Sequence, residues 1–334
     1  MFIVESYPLA ILFCFVTMLC WGSWANTQKL VTGKWRFELF YWDYVIGILL
    51  FSLVAAFTLG SNGEQGRGFI ADLQQASSSN IGSAFLGGII FNLANILLTA
   101  AIAIAGMSVA FPVGIGIALL LGVVVNYLSM QKGDPVMLFA GVTLVALAII
   151  LNAVAYKKTA ATTQKPGTKG IVLSVVAGVL MSFFYRFIAA AMDLNNFESP
   201  EPQKMTPYTA FFIFATGILA SNFLFNTIMM RRPLEGAPVT YRDYFKGKFS
   251  LHLVGILGGT IWGIGNLFNL IAAGKAGPAI SYGLGQGATL VAAIWGVLVW
   301  KEFKNSGKQV SWLLAGMFLF FLAGLALIIY AGKA

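Results

Sequence analysis

The chain has 334 residues, 58% hydrophobic and 10% charged, with a formal net charge of +9 and a mean hydropathy of +0.82. Soluble domains carry about 25% charged residues. No water-surrounded core could hide this much apolar surface, so the solvent is lipid, and a soluble enzyme or a nucleic-acid-binding domain is excluded.

Ten apolar segments follow in chain order, at about 8–30, 41–60, 82–105, 107–129, 136–156, 170–192, 207–230, 250–273, 278–300 and 311–332. The first resembles a signal peptide, but no basic stretch precedes it and its apolar run continues through Trp24, so it reads as a span. The connecting loops are too short for an extramembrane domain. The predicted fold is an all-α integral membrane protein of ten transmembrane helices.

Basic residues are unevenly shared among the loops. Lys29, Lys34 and Arg36; Lys157, Lys158, Lys165 and Lys169; Arg231, Arg232, Arg242, Lys246 and Lys248; and Lys301, Lys304 and Lys308 all fall in odd-numbered loops. Arg67, Lys132, Lys204, Lys275 and Lys333 fall on the other side. This bias places the odd loops in the cytoplasm and both termini outside, in the inner (plasma) membrane.

A shift of 171 residues aligns Gly87-Gly88 with Gly258-Gly259, Asn95 with Asn266, Gly106 with Gly277, and Gly114 and Gly116 with Gly285 and Gly287. We read this as a duplication: a first five-helix repeat over 1–158, a cytoplasmic linker over 159–169, and a second repeat over 170–334. Five spans per copy is an odd number, so the second copy enters the membrane inverted. In such folds the solute site lies near the midplane between the halves.

Polar side chains at bilayer depth are costly without partners. Asn92 and Asn95 lie three apart on one helical face, as do Asn266 and Asn269. Each amide offers two donors and two acceptors, suiting a neutral polyhydroxyl or amide-rich solute. The competing reading is interhelical glue. Trp21, Trp24 and Tyr185 could stack on a solute ring, although Trp24 also fits an interfacial belt; Trp262 lies deeper. Ser281, Tyr282 and Gln286 sit in a glycine-rich ninth span whose small residues permit close packing. Asn126 and Asn222 are further candidates, with packing ahead. Arg186 lies about 24 Å along span six from Gly170. It either snorkels toward the outer surface, in the direction of Asp193, or serves as a donor or gate on the outer vestibule.

Asp43, at the start of span two, is the leading carboxylate for proton coupling, with Glu302 behind it. The alternative for Asp43 is a favourable charge at a helix N-terminus, so uniport stays open. The lone His252 forms no histidine cluster, and Cys14 and Cys20 form no disulfide framework or metal site. There is no phosphate-binding loop, so no ATP engine or other cofactor is expected, and no enzyme motif or channel filter is present.

Glu5-Ser6, the first span with Gly22 and Trp24, Asp43-Tyr44, Ala56-Phe57-Thr58-Leu59-Gly60, and Gly87-Gly88 with Asn92 and Asn95 resemble the ureide permeases. More broadly the chain resembles the drug/metabolite transporter superfamily, near its glucose/ribose uptake and rhamnose branches. The resemblance implies a ten-helix basket of inverted halves and, commonly, proton-linked uptake. The central loop, about 157–169, is much shorter than in plant ureide permeases, which makes the chain more like a compact bacterial relative. The expected function is secondary transport, with proton-coupled import favoured, of a small neutral polar solute such as a ureide, a nucleobase or nucleoside, or a monosaccharide. The expected partners are that solute, the bilayer and a coupling proton, with the protein a monomer or homodimer. An exporter of amphipathic compounds and a non-transporting scaffold or receptor are the alternatives.

Overall fold

A computed structural model of the chain describes residues 1–105, 107–159, 168–233, 236–304 and 306–333, with the side chains of 102–105, 107–109, 111 and 112 left out. Gly106, Lys165 and most of the predicted linker lie outside the described residues. The helices are α1 Tyr7–Ser23, α2 Ala25–Val31, α3 Phe37–Phe57, α4 Phe69–Gln75, α5 Ser78–Ala105, α6 Met107–Ser129 and α7 Pro135–Thr159. They continue with α8 Thr168–Ala190, α9 Pro207–Arg231, α10 Tyr241–Phe245, α11 Phe249–Ala276, α12 Pro278–Gly285, α13 Ala288–Ile294 and α14 Lys308–Ala331, with a π-helical turn at Trp295–Val299 after α13. Among the described residues there is no strand, only one isolated bridge between Met192 and Met205. Nine described helical segments are long and apolar enough to cross a membrane, and Val113–Ser129 is a shorter apolar helix. The chain is a multi-pass membrane protein.

Backbone hydrogen bonding explains why helices alone cross: in lipid every N–H and C=O must be satisfied within the segment. The helix starts follow from local chemistry. Ser6 accepts from Leu9 N–H ahead of α1, and Thr206 accepts from Thr209 N–H with Pro207 opening α9. α11 and α12 are separated by Gly277 at φ +84°, followed by Pro278, a turn only glycine takes without strain. The ninth predicted span is not continuous. It breaks at Gln286-Gly287, leaving Gln286 at a helix junction.

Lipid cannot drive helices together by hydrophobicity, so close packing must do so. The strongest helix pairings join residues before 160 to residues after 167: α5 with α8 and α9, α3 and α1 with α11, and α7 with α14. Two of these contacts are built alike. A Cβ on Gly88 of α5 would strike the Phe214 carbonyl of α9, and one on Gly259 of α11 would strike the Tyr44 carbonyl of α3. Large apolar side chains such as Leu12, Val54, Leu128, Leu319 and Trp312 face outward, as a lipid-bathed surface requires.

Candidate functional site

A cavity of about 180 Å³ lies between α1, α5, α8, α11 and the α12–α13 junction. Aromatic rings form much of its wall. Trp21 stacks on Trp262 at 6.0 Å and 11°, Phe91 meets Trp262 at 4.5 Å, and Phe184 packs on Phe91 at 5.2 Å. Trp24 closes another side and rests on Tyr44 at 4.6 Å. The polar groups on the wall are Asn95, Gln286 and Thr289.

The predicted residues divide into groups by where they fall. Trp21, Trp24, Asn95, Trp262 and Gln286 line this cavity together. Asn92 stands behind it, tied into the packing between α3, α5 and α9. It accepts from Tyr41 Oη at 2.9 Å and donates to Ser221 Oγ at 2.9 Å. Tyr41 Oη in turn accepts from Asn95 Nδ2 at 3.1 Å, so one tyrosine orients both asparagines.

Tyr185, Ser281, Tyr282 and Asn269 form a sealed plug beyond the cavity, all fully buried. Tyr185 Oη lies 3.0 Å from Ser281 Oγ and donates to the Asn269 carbonyl at 3.2 Å. Asn269 Nδ2 donates to the Ser281 carbonyl at 2.7 Å, and Tyr282 Oη donates to the Ala118 carbonyl at 3.1 Å. Their place follows from chain order. On α8, Met181 lines the cavity and Arg186 lines a separate pocket, with Tyr185 between them. On the other wall, Gln286 lines the cavity and Pro278 the separate pocket, with Ser281 and Tyr282 between.

At its opposite end the cavity adjoins a vestibule of about 340 Å³; Gly22, Ala25, Thr289 and Ala292 line both. Lys29, Trp300 and Glu302 mark this mouth, which lies at the predicted cytoplasmic end. Lys29 Nζ meets Glu302 Oε1 at 2.7 Å, Tyr156 Oη donates to Glu302 Oε2 at 2.6 Å, and Lys29 lies 4.1 Å from the Trp300 ring centroid. Burial pushes the Glu302 carboxyl up, but the hydrogen bonds from Lys29 and Tyr156 and the Lys29 charge outweigh it, holding it below the ordinary 4.5. A depressed carboxyl contributes stability above its unfolded pKa and loses it as pH falls through the folded one. The melting temperature is therefore expected to dip below about pH 4.5 as this link opens, and Glu302→Gln should remove that part of the dip. The link is partly exposed and worth about 0.2–1 kcal/mol. An identical acid dip in the variant would show that the link does not hold the mouth.

Asn266 is fully buried, and neither its Nδ2 nor its Oδ1 has a hydrogen-bond partner among the described residues. An unsatisfied buried amide costs about 1–3 kcal/mol, and an apolar replacement of similar shape removes that cost. Asn266→Leu is expected to raise the melting temperature of the purified protein. A lowered melting temperature would mean that the amide is engaged. Asn222 is likewise buried with both amide atoms unpartnered.

Asp43 lies outside the cavity, 1% exposed, between α3, α10 and α11. Its Oδ1 accepts from Tyr244 Oη at 2.6 Å and lies 2.8 Å from His252 Nδ1, and its Oδ2 accepts from Trp35 Nε1 at 3.1 Å. This is more than a charge at a helix N-terminus. Burial, then the bond to Asp43 and its charge, push the Tyr244 phenol up, so it stays a donor. In the sequence His252 stands out only as a lone histidine, and nothing local marks Tyr244, Trp35 or Tyr41. Among the described residues no cluster of histidine, cysteine or acidic side chains could hold a metal ion.

The ureide permease family model matches residues 40–169 and 162–331. The chain belongs to the ureide permease family. Ureide permease 1 and ureide permease 2 of Arabidopsis thaliana are 24% and 25% identical to it, each alignment covering 98% of both chains. A Streptococcus agalactiae protein whose name gives a provisional role in sugar uptake is 23% identical over 95% of this chain and 97% of its own. A crystal structure superposes with a TM-score of 0.61 over 96% of both chains at 17% identity, which shows a shared fold. The relatives are named permeases, and this ureide permease family member is a membrane transporter of small solutes rather than an enzyme.

Proposed function

We propose that the protein imports a small, neutral, polar solute across the plasma membrane by alternating access, with the cavity walled by Trp21, Trp24, Trp262, Asn95 and Gln286 as the solute site. One observation carries this reading: the cavity adjoins the vestibule of the Lys29–Glu302 mouth across shared wall residues, whereas the buried, hydrogen-bonded Tyr185, Ser281, Tyr282 and Asn269 lie between it and the opposite end. A site reachable from one side at a time is what a carrier needs, whereas a channel needs both. Read in the orientation of the basic loops, this is the inward-facing form, with both termini outside.

Aromatic faces with a few amide groups suit a ureide, a nucleobase-like ring or a sugar; the relatives' names give ureides and sugar. The cavity volume lies below the ~300–1,000 Å³ typical of drug-sized sites, which favours a small solute over an amphipathic drug. The matching glycine contacts of α5 with α9 and of α11 with α3 support ten helices arranged as two inverted repeats, 1–158 and 170–334, whose halves are interleaved. Asn266 and Asn269, repeat-related to Asn95 and its neighbours, then belong to the surface exposed when the protein opens outward. Asp43, paired with His252, is the proton relay.

A thermal-shift screen of purified protein against sugars, nucleobases, nucleosides and ureides tests the solute class, because a ligand of the folded state raises the melting temperature by mass action. Uptake of the best ligand into proteoliposomes, driven by an inward proton gradient, tests transport. Absence of binding and of uptake for every class would end the reading.

A further inference from the structure

A second pocket, of about 540 Å³, opens at the opposite end of the bundle from the Lys29–Glu302 mouth. Its wall carries Arg186 and Lys204 against Asp193 and Glu201, so formal charges cancel and neither an anion nor a cation is selected. Two of these four groups are already committed. Both Asp193 oxygens accept backbone N–H groups, from Asn195 at 3.1 Å and Glu201 at 3.0 Å, and Lys204 Nζ donates to the Ala190 carbonyl at 2.6 Å.

Besides the Glu201 carboxylate, two groups suited to a neutral solute are not committed. The exposed Arg186 guanidinium makes no hydrogen bond or ion pair to any described residue. Asn126 lines the same pocket with a fully buried side chain. Its Nδ2 donates to the Gly122 carbonyl at 2.7 Å, while its Oδ1 has no partner. A buried acceptor without a donor is costly, and a donor supplied to it is rewarded. Gly122 lies against the ring of Tyr282, so Asn126 sits one helical turn outside the plug.

We propose that this pocket is an outer capture site, where Asn126 Oδ1 accepts one N–H and the planar Arg186 fork donates to an adjacent C=O of a neutral amide- or urea-type solute. The inference rests on the transport reading and adds a loading step outside the plug. A planar edge with N–H beside C=O presents one donor and one acceptor to an amide oxygen and a guanidinium, and the guanidinium's fixed fork suits a planar partner. A sugar hydroxyl offers no such plane.

Ser129 is exposed at the rim of the pocket. The test uses full-length Ser129→Cys protein in proteoliposomes, with Cys14→Ala and Cys20→Ala, labelled from outside with a membrane-impermeant thiol reagent. The probes are hydantoin, a cyclic ureide, and glucose. Hydantoin is expected to slow labelling, and glucose is not. In Arg186→Gln, Arg186→Lys and Asn126→Leu about tenfold more hydantoin is expected to be needed, the ratio that 1.4 kcal/mol of binding gives. Arg186 is exposed, so its variants report even if Asn126→Leu fails to fold. Asn95→Leu, aimed at the central cavity, is expected to keep the protection.

Labelling only from the inside, no protection by hydantoin, equal protection by glucose, or unchanged protection in the Arg186 variants would each overturn the proposal, as would loss of protection in Asn95→Leu. Protection without transport in the parent protein would instead remove the transport reading and leave the site standing.

Discussion

Asn95→Leu is expected to lower solute uptake roughly 5–150-fold at sub-saturating concentration, the range given by about 1–3 kcal/mol for a lost hydrogen bond in a desolvated site. Asn95 is 8% exposed, and that exposure is onto the cavity wall. Its Nδ2 is held by Tyr41 Oη, which aims the amide and leaves Oδ1 free for a solute donor. Leucine removes the acceptor and presents a methyl group to a polar solute. The fold should survive, because Tyr41 keeps its bond to Asn92 and Asn92 keeps its bond to Ser221. Membrane yield and the size-exclusion profile are therefore expected to match the parent while proteoliposome uptake falls. Uptake at the parent rate in a well-folded Asn95→Leu protein would remove the cavity from the pathway.

Asp43→Leu is expected to destabilise the protein by about 3–5 kcal/mol, the cost of removing one partner from a buried pair. Donors from Trp35 and Tyr244 and the His252 ring nitrogen converge on that carboxylate, and an apolar residue strands all of them. Asp43→Asn is the more informative change. It keeps shape and an acceptor for Tyr244 but removes the titratable group and turns a donor toward Trp35. Proton-driven accumulation is expected to collapse in this variant while solute counterflow, which needs no net proton movement, persists. Equal loss of both would assign Asp43 to folding. A double-mutant cycle with His252→Gln measures the coupling of the pair directly, because neighbours that share a bond are not additive.

Several features were legible because they are properties of composition or of local spacing. Lipid as solvent follows from residue content alone, and most spans follow from uninterrupted apolar runs. Asn95, Trp21, Trp262 and Gln286 stood out because a polar or large amphipathic side chain in such a run demands a reason. Trp24 was harder to place. Its position near a helix end fits an interfacial belt equally well, and only the structure places it against Tyr44 of α3 and on the cavity wall. Asn92 and Asn95 were grouped correctly by helical face, yet Tyr41 joins them from 51 and 54 positions away, so their division of labour was not visible.

The sequence by itself determined that this chain lives in a membrane, is built of helices and carries carboxamides and indoles at bilayer depth, because hydropathy and helical periodicity act over a few turns. Only the tertiary structure decided which of them meet. Asp43 and His252 are 209 positions apart, Lys29 and Glu302 273, and Tyr185 and Ser281 96. No local pattern encodes such pairs. They form because helices of one half pack against those of the other, through backbone approaches that glycine permits, and that packing sets which polar groups are buried together and which are left facing a space a solute can fill.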